Sequence, residues 1–271
     1  MVDFDAVLAF NSMRFREVVA GSPPGSPVPS CPGWSSADLL SHLTEVQSFW
    51  GEVVTSRLQD GLEVGAIVAP PRRDEPEAAL AQFDAVSERL RSGLAAARDD
   101  EPAWTWTPDH TIGWIRRRQA QEALVHRVDA ELAAGLSSEV DPEAAEDGVD
   151  EVLTQFGAAL PEWGSFDPSG LLVAVRSTPS GQSWGVRLGR FRGVDPDGIA
   201  HDEPDYQPVT HADDRDPPVT HPDDRAEAVL EGTAVDLLLW LWGRADGEGI
   251  SATGDPSARS SLRAAITANT Q

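Results

Sequence analysis

Apolar side chains recur at intervals of three and four along the first 134 residues, whereas beyond residue 168 they fall into short extended-type runs. This change of period constrains the fold more than any other feature, because helices and strands bury their apolar faces at different spacings. Phe4, Val7, Leu8, Phe10, Phe15 and Val18 mark a first helix, which stops at Gly21-Ser22-Pro23-Pro24-Gly25. A second opens behind Pro32-Gly33-Trp34. There Ser35 and Asp38 have the spacing of a capping box, and Leu39, Leu40, Leu43, Val46, Phe49, Trp50 and Val53 carry the stripe. Residues 76–98 and 113–134 supply a third and a fourth helix. Four long helices with intervening loops predict an antiparallel bundle, whose interior is a common place for a metal site.

The second half predicts something else. A helix near 142–160 precedes strands at 171–176 and 184–191, with Ser180-Gly181-Gln182 as the turn between them. A further strand is expected at 227–232, then a short apolar helix at 234–244 and a last one at 257–268. The expected fold class is therefore α+β, with a helical bundle over 1–138 and a small α+β domain over 139–271. The segment 209–215 (VTHADDR) returns as 219–225 (VTHPDDR). It reads as a duplicated Asp- and Pro-rich surface loop, although His211 and His221 would be metal ligands on a functional reading.

Composition narrows the function. Forty-five Asp and Glu against 21 basic residues, all of them Arg, give a net charge of −24. A field of that sign repels phosphate backbones and anionic lipid, so neither nucleic acid nor a membrane surface is an expected partner. A single cysteine, Cys31, excludes an internal disulfide and fits a reducing, cytoplasmic setting; it reads as a small packing group. The N-terminus has acids where a signal peptide would have bases, and the apolar run 235–242 is too short to span a bilayer. A monomer or small homo-oligomer is expected.

The chemistry-bearing residues lie in the helical half. Glu122 and His126, four apart, share a helix face that continues through Gln119 and Asp129, beside an apolar stripe of Trp114, Leu124, Val128 and Leu132. His42 stands among Leu39, Leu43 and Val46 on the second helix. A solvated carboxylate–histidine pair and a histidine satisfied in the core would give the same spacing. If the second and fourth helices pack together, however, two His and one carboxylate converge and leave a coordination position open, as in a catalytic metal site. The set suits zinc and also non-haem iron.

Cys31-Pro-Gly-Trp-Ser-Ser-Ala-Asp-Leu-Leu-Ser-His42-Leu resembles the signature "CPGW…DL..HL" of the mycothiol-dependent maleylpyruvate isomerase family. Gln121-Glu-Ala-Leu-Val-His-Arg-Val-Asp129 is similar to that family's "HE..VHRWD", and the segment from Gly232 to Arg244 resembles its third signature. Gln121 and Val128 depart from the pattern, where the family often has His and Trp. The resemblance implies a DinB-like bundle holding zinc, or another divalent metal, through His42, Glu122 and His126. It implies mycothiol, the thiol of actinobacteria, as cosubstrate for a small-molecule electrophile. It also places Arg244 where the family has an arginine, a group able to hold a substrate carboxylate. Thiol addition would then end either in cis–trans isomerisation or in S-transfer. A non-catalytic metal- or thiol-binding stress protein and a metal-dependent hydrolase are the alternative readings of the same ligands.

Overall fold

The computed structural model describes residues 2–157, 160–209 and 226–269. Residues 210–225, which hold all of the duplicated segment except Val209 and include His211 and His221, lie outside the described residues. The chain divides into two compact units, Met1–Glu139 and Val140–Gln271.

The first unit contains α1 (Phe4–Ala20), α2 (Ser36–Ser56), the short α3 (Gly61–Gly65), α4 (Pro76–Ala95) and α5 (Ile112–Ala133). The four long helices close a ring in which α1 packs on α5, α5 on α2, α2 on α4 and α4 on α1. The second and fourth helices expected from the sequence, α2 and α5, are thus neighbours. The capping box forms at the head of α2, where Ser35 receives the Asp38 amide and the Asp38 carboxylate receives the Ser35 amide at 2.9 Å. Two apolar clusters fill the ring. One centres on Trp50, Leu90, Leu94, Trp114 and Ile115; the other holds Phe15, Leu39, Leu43, Phe83 and Ala130, with Cys31 and Trp34 packed against it.

Helix α5 departs from the simple amphipathic expectation. Its polar face is buried as well as its apolar one, so that Arg116, Arg118, Gln119, Gln121, His126, Arg127, Asp129 and Glu131 all lie inside. Burying charge requires partners. On the α1 side, Arg127 donates Nε to Asn11 Oδ1 at 2.8 Å, Nη1 to Glu131 at 2.6 Å and Nη2 to the Glu139 carbonyl at 3.0 Å. Arg14 of α1 donates to the other Glu131 oxygen at 2.9 Å. Arg116 bridges Asp5 and Asp99. These networks fix the rotation of α5 and so decide which of its residues face α2.

In the second unit, α6 (Pro142–Glu151) runs into a π-helical turn (Val152–Phe156) and leads to a five-stranded sheet, with α7 (Ala234–Leu241) and α8 (Ala258–Asn269). The strands are β1 (Gly164–Thr178), β2 (Ser183–Val194), β3 (Ala200–Pro208), β4 (Ala228–Thr233) and β5 (Ser251–Gly254), in the order β3-β2-β1-β4-β5. Neighbours are antiparallel except β1 and β4, which run parallel from Val173↔Ala228 to Thr178↔Thr233. Strand β1 starts seven residues earlier than its apolar run suggests, 164 against 171, and its register slips between Pro168 and Leu172. Proline lacks an amide to donate, and the slip accommodates it. Helix α8 lies against β3, β2 and β1, and α6 packs on α7. The class is α+β, as expected.

Candidate metal centre

His42 reaches the site because α2 and α5 are adjacent in the ring and their facing residues are fixed by the flanking cores. Its Nε2 stands 3.4 Å from Glu122 Oε1, and His126 Nε2 stands 3.1 Å from the same oxygen. One donor atom from each of the three residues falls within 4.8 Å of the others. Ligands around a tetrahedral ion with bonds of about 2.0–2.2 Å are spaced roughly 3.3–3.6 Å apart, and the two histidine–glutamate separations lie close to that spacing. The two imidazole rings meet edge to face with centroids 4.8 Å apart, and the Trp34 ring packs on His42 with centroids 4.9 Å apart. The side chain of His42 is 35% exposed against 10% for His126, so access is from the His42 side.

Two of the three candidate ligands are held from behind. Asp129, fully buried one turn along α5, takes His126 Nδ1 on Oδ2 at 2.9 Å. With Nδ1–H committed there, Nε2 is the nitrogen turned toward Glu122 and His42, and such a carboxylate is the usual second support of a metal-bound histidine. Asp129 is itself anchored by the loop that precedes α2: Ser30 Oγ donates to Oδ1 at 2.5 Å, and Cys31 Sγ lies 3.7 Å from Oδ2. Cys31 is therefore a donor to this carboxylate in addition to a packing group. On the other ligand, Arg118 Nη2 binds Glu122 Oε2 at 2.7 Å, which leaves Oε1 for the imidazoles. Neither Asp129 nor Arg118 stands out in the sequence as a support. The signal available was spacing alone, three residues after His126 and four before Glu122.

Asp129→Asn keeps the shape but removes the charge that orients His126. Metal affinity should fall roughly ten- to a hundredfold, as for other second-layer partners of metal ligands. Competition with a chromogenic chelator measures it, and unchanged affinity would remove Asp129 from the site.

Charge shapes the site in the metal-free chain. Burial opposes a charge on His126, but Glu122 first and Asp129 with it overcome this and raise its pKa to about 9. Burial likewise works against ionised Glu122, yet His126 and Arg118 hold its pKa well below the ordinary carboxylate range. Because the folded pKa of His126 lies above its unfolded value near 6.5, the stabilisation from its proton is complete below about 6.5 and is lost as pH rises through about 9. A metal must displace that proton, so affinity should climb by roughly tenfold per pH unit up to about 9. Chelator competition at about pH 6, 7 and 8 tests this, and a flat profile over that range would contradict it.

Arg244, the remaining candidate, belongs to the second unit, three residues past α7. It is half-buried; its Nη1 donates to the Trp242 carbonyl and its guanidinium lies 5.8 Å from the Trp242 ring centroid.

Sequence profiles of known domains decide the kinship. That of the mycothiol maleylpyruvate isomerase N-terminal domain matches residues 8–131, and that of the same family's C-terminal domain matches residues 143–260. The chain belongs to this family. It is a family of enzymes. Two solved structures resemble the whole chain, the mycothiol-dependent maleylpyruvate isomerase and a single-residue mutant of it. Each is 12% identical over 93% of both chains, with a TM-score of 0.57, a likeness of fold. No curated protein matches the sequence. Among the described residues, no helix of this family member is long and apolar enough to cross a membrane.

Proposed function

We propose that the chain is a divalent-metal-dependent enzyme that uses mycothiol as a nucleophile toward an electrophilic small molecule, with His42, Glu122 and His126 as the metal ligands. The observation that carries this reading is the convergence of three donor atoms from two helices within 4.8 Å, two of them supported from behind, in a member of a mycothiol-using family. Three protein ligands leave a position for a further group. When bound there, a divalent cation holds a thiol as its thiolate near neutral pH.

The protein's own residues do the rest. Asp129 orients His126, Arg118 offsets the Glu122 charge, and Trp34 packs on the His42 ring. In the isomerase outcome, the mycothiol sulfur adds to the activated double bond, the new single bond rotates, and elimination restores the alkene and frees the thiol. In the S-transferase outcome the adduct leaves instead. Arg244 is proposed as a fork for a carboxylate on the electrophile. Metal-loaded protein incubated with mycothiol and a panel of unsaturated acids, read by mass spectrometry and NMR, should yield isomerised substrate or a thioether. Arg244→Lys should lose roughly ten- to a hundredfold in kcat/KM, the size of one charge-assisted hydrogen bond, while keeping its metal. Absence of any thiol-dependent product across the panel would defeat the proposal.

A further inference from the structure

Small side chains leave a space in the first unit that the metal reading does not use. Helices α2 and α4 meet tightly where Gly51 lies against Leu90 and Gly93 against Val54. Toward the start of the same pair, Ala37 and Ala79, from the first turns of α2 and α4, line a cavity of about 220 Å³ together with Val19 and Ala20 at the end of α1. Interiors are normally packed without gaps of this size, and three alanines are too short to close it. Its outer wall is a strap, residues 70–74, fastened to both helices. Arg72 Nη2 binds Asp38 Oδ1 of α2 at 2.7 Å, and Gln82 Nε2 of α4 donates to the Pro71 carbonyl at 3.2 Å.

The walls decide what the space can hold. Pro70 and Pro71 of the strap, with Pro24 and Pro76 beside it, present apolar rings and have no amide to satisfy. The hydroxyls of the lining residues are already committed. Ser22 Oγ donates to the Val18 carbonyl at 2.8 Å, Thr44 Oγ1 to the Leu40 carbonyl at 2.6 Å and Ser41 Oγ to Glu45 at 3.0 Å. Charge cancels at the exposed rim, where Arg72 and Arg73 stand with Glu45 and Asp74, so neither an anion nor a cation is favoured. An apolar cavity of about 150 Å³ takes benzene, and the larger volume here has room for two fused rings.

We infer that this cavity is a second ligand site, for an uncharged, apolar molecule of ring size. Ala37, Leu40, Ser41 and Thr44 turn one flank of α2 to the cavity, while His42 turns another flank to Glu122 on α5. The site therefore stands apart from the candidate metal ligands. It rests on neither the metal nor mycothiol.

2-Naphthol, titrated into the full chain by calorimetry and located by methyl NMR, is the probe. It should bind and move the methyl signals of Val19, Leu40 and Leu80, which line the cavity. Its charged counterparts, 2-naphthoate and 2-naphthylmethylamine, should bind roughly tenfold more weakly or worse, because an ion loses hydration that these walls do not replace. Ala79→Phe should fill the space and cut affinity by roughly tenfold or more. Ala37→Leu, from the facing helix, repeats that test if circular dichroism shows the first variant unfolded. Arg72→Gln, which frees the strap from α2, should weaken binding by a smaller factor. His126→Ala should bind as the wild type does. Failure of 2-naphthol to bind, methyl shifts confined to other residues, or unchanged affinity in a folded filling variant each overturns the inference. Tighter binding of either ion, or loss of binding in His126→Ala, overturns it as well. None of these outcomes bears on metal content or thiol turnover in the wild type.

Discussion

His126→Ala should strip the protein of its metal, lowering affinity by well over a hundredfold and abolishing thiol-dependent turnover. His126 is one of the three proposed ligands, so its loss would leave Glu122 and His42 to hold the ion alone, fewer than metal sites of this kind retain. The effect should exceed that of Asp129→Asn, which disturbs a ligand without deleting it. Elemental analysis of purified variant against wild type measures it. The fold should survive, since Asp129 keeps its bonds to Ser30 and Cys31 and the clusters around Phe15 and Trp50 are untouched. Wild-type protein with about one metal per chain and a variant with the same content would refute the ligand assignment.

Arg127→Met should cost the first unit about 3–5 kcal/mol, the usual penalty for breaking a buried ion pair. Arg127 and Glu131 are each about 4% exposed, and Asn11 Oδ1 and the Glu139 carbonyl would lose their donor as well. Arg14 still reaches Glu131, which places the expectation toward the lower end. Urea unfolding of the full chain would show an earlier first transition. Replacing both members, Arg127→Met with Glu131→Leu, should recover much of the loss, because no uncompensated charge then remains inside. A double variant no more stable than the single one would show that the pair's value lies elsewhere.

The long helices were legible because each buries a face at helical spacing, and α2 announced its start through Ser35 and Asp38. Elements stabilised by pairing rather than by their own pattern were not. Strand β3 reads Ala-His-Asp-Glu-Pro-Asp-Tyr-Gln-Pro, a poor strand by composition, yet it is tolerable at the sheet edge where Pro204 need not donate. Strand β5, four exposed residues at the other edge, and the five-residue α3 carry too little pattern to detect. The site shows the same division. His42, Glu122 and His126 could be picked out as residue types, and their meeting depended on α2 and α5 being neighbours. The parts of Asp129 and Arg118 became visible only with the burial of α5 on its polar side, because a charged residue three or four places from a histidine or glutamate is ordinary on any exposed helix.

The ties that orient α5 span nearly the whole first unit: Arg14 to Glu131 across 117 residues, Asn11 to Arg127 across 116, and Ser30 to Asp129 across 99. During synthesis α1, α2 and α4 must therefore leave the ribosome before the helix that unites them exists. Their apolar faces wait unsheltered until residue 139 has emerged, a situation that slows folding and calls for chaperone protection. A nascent chain halted before α5 would carry His42 without Glu122 or His126, so loading of the proposed metal would be confined to chains in which the first unit is already complete.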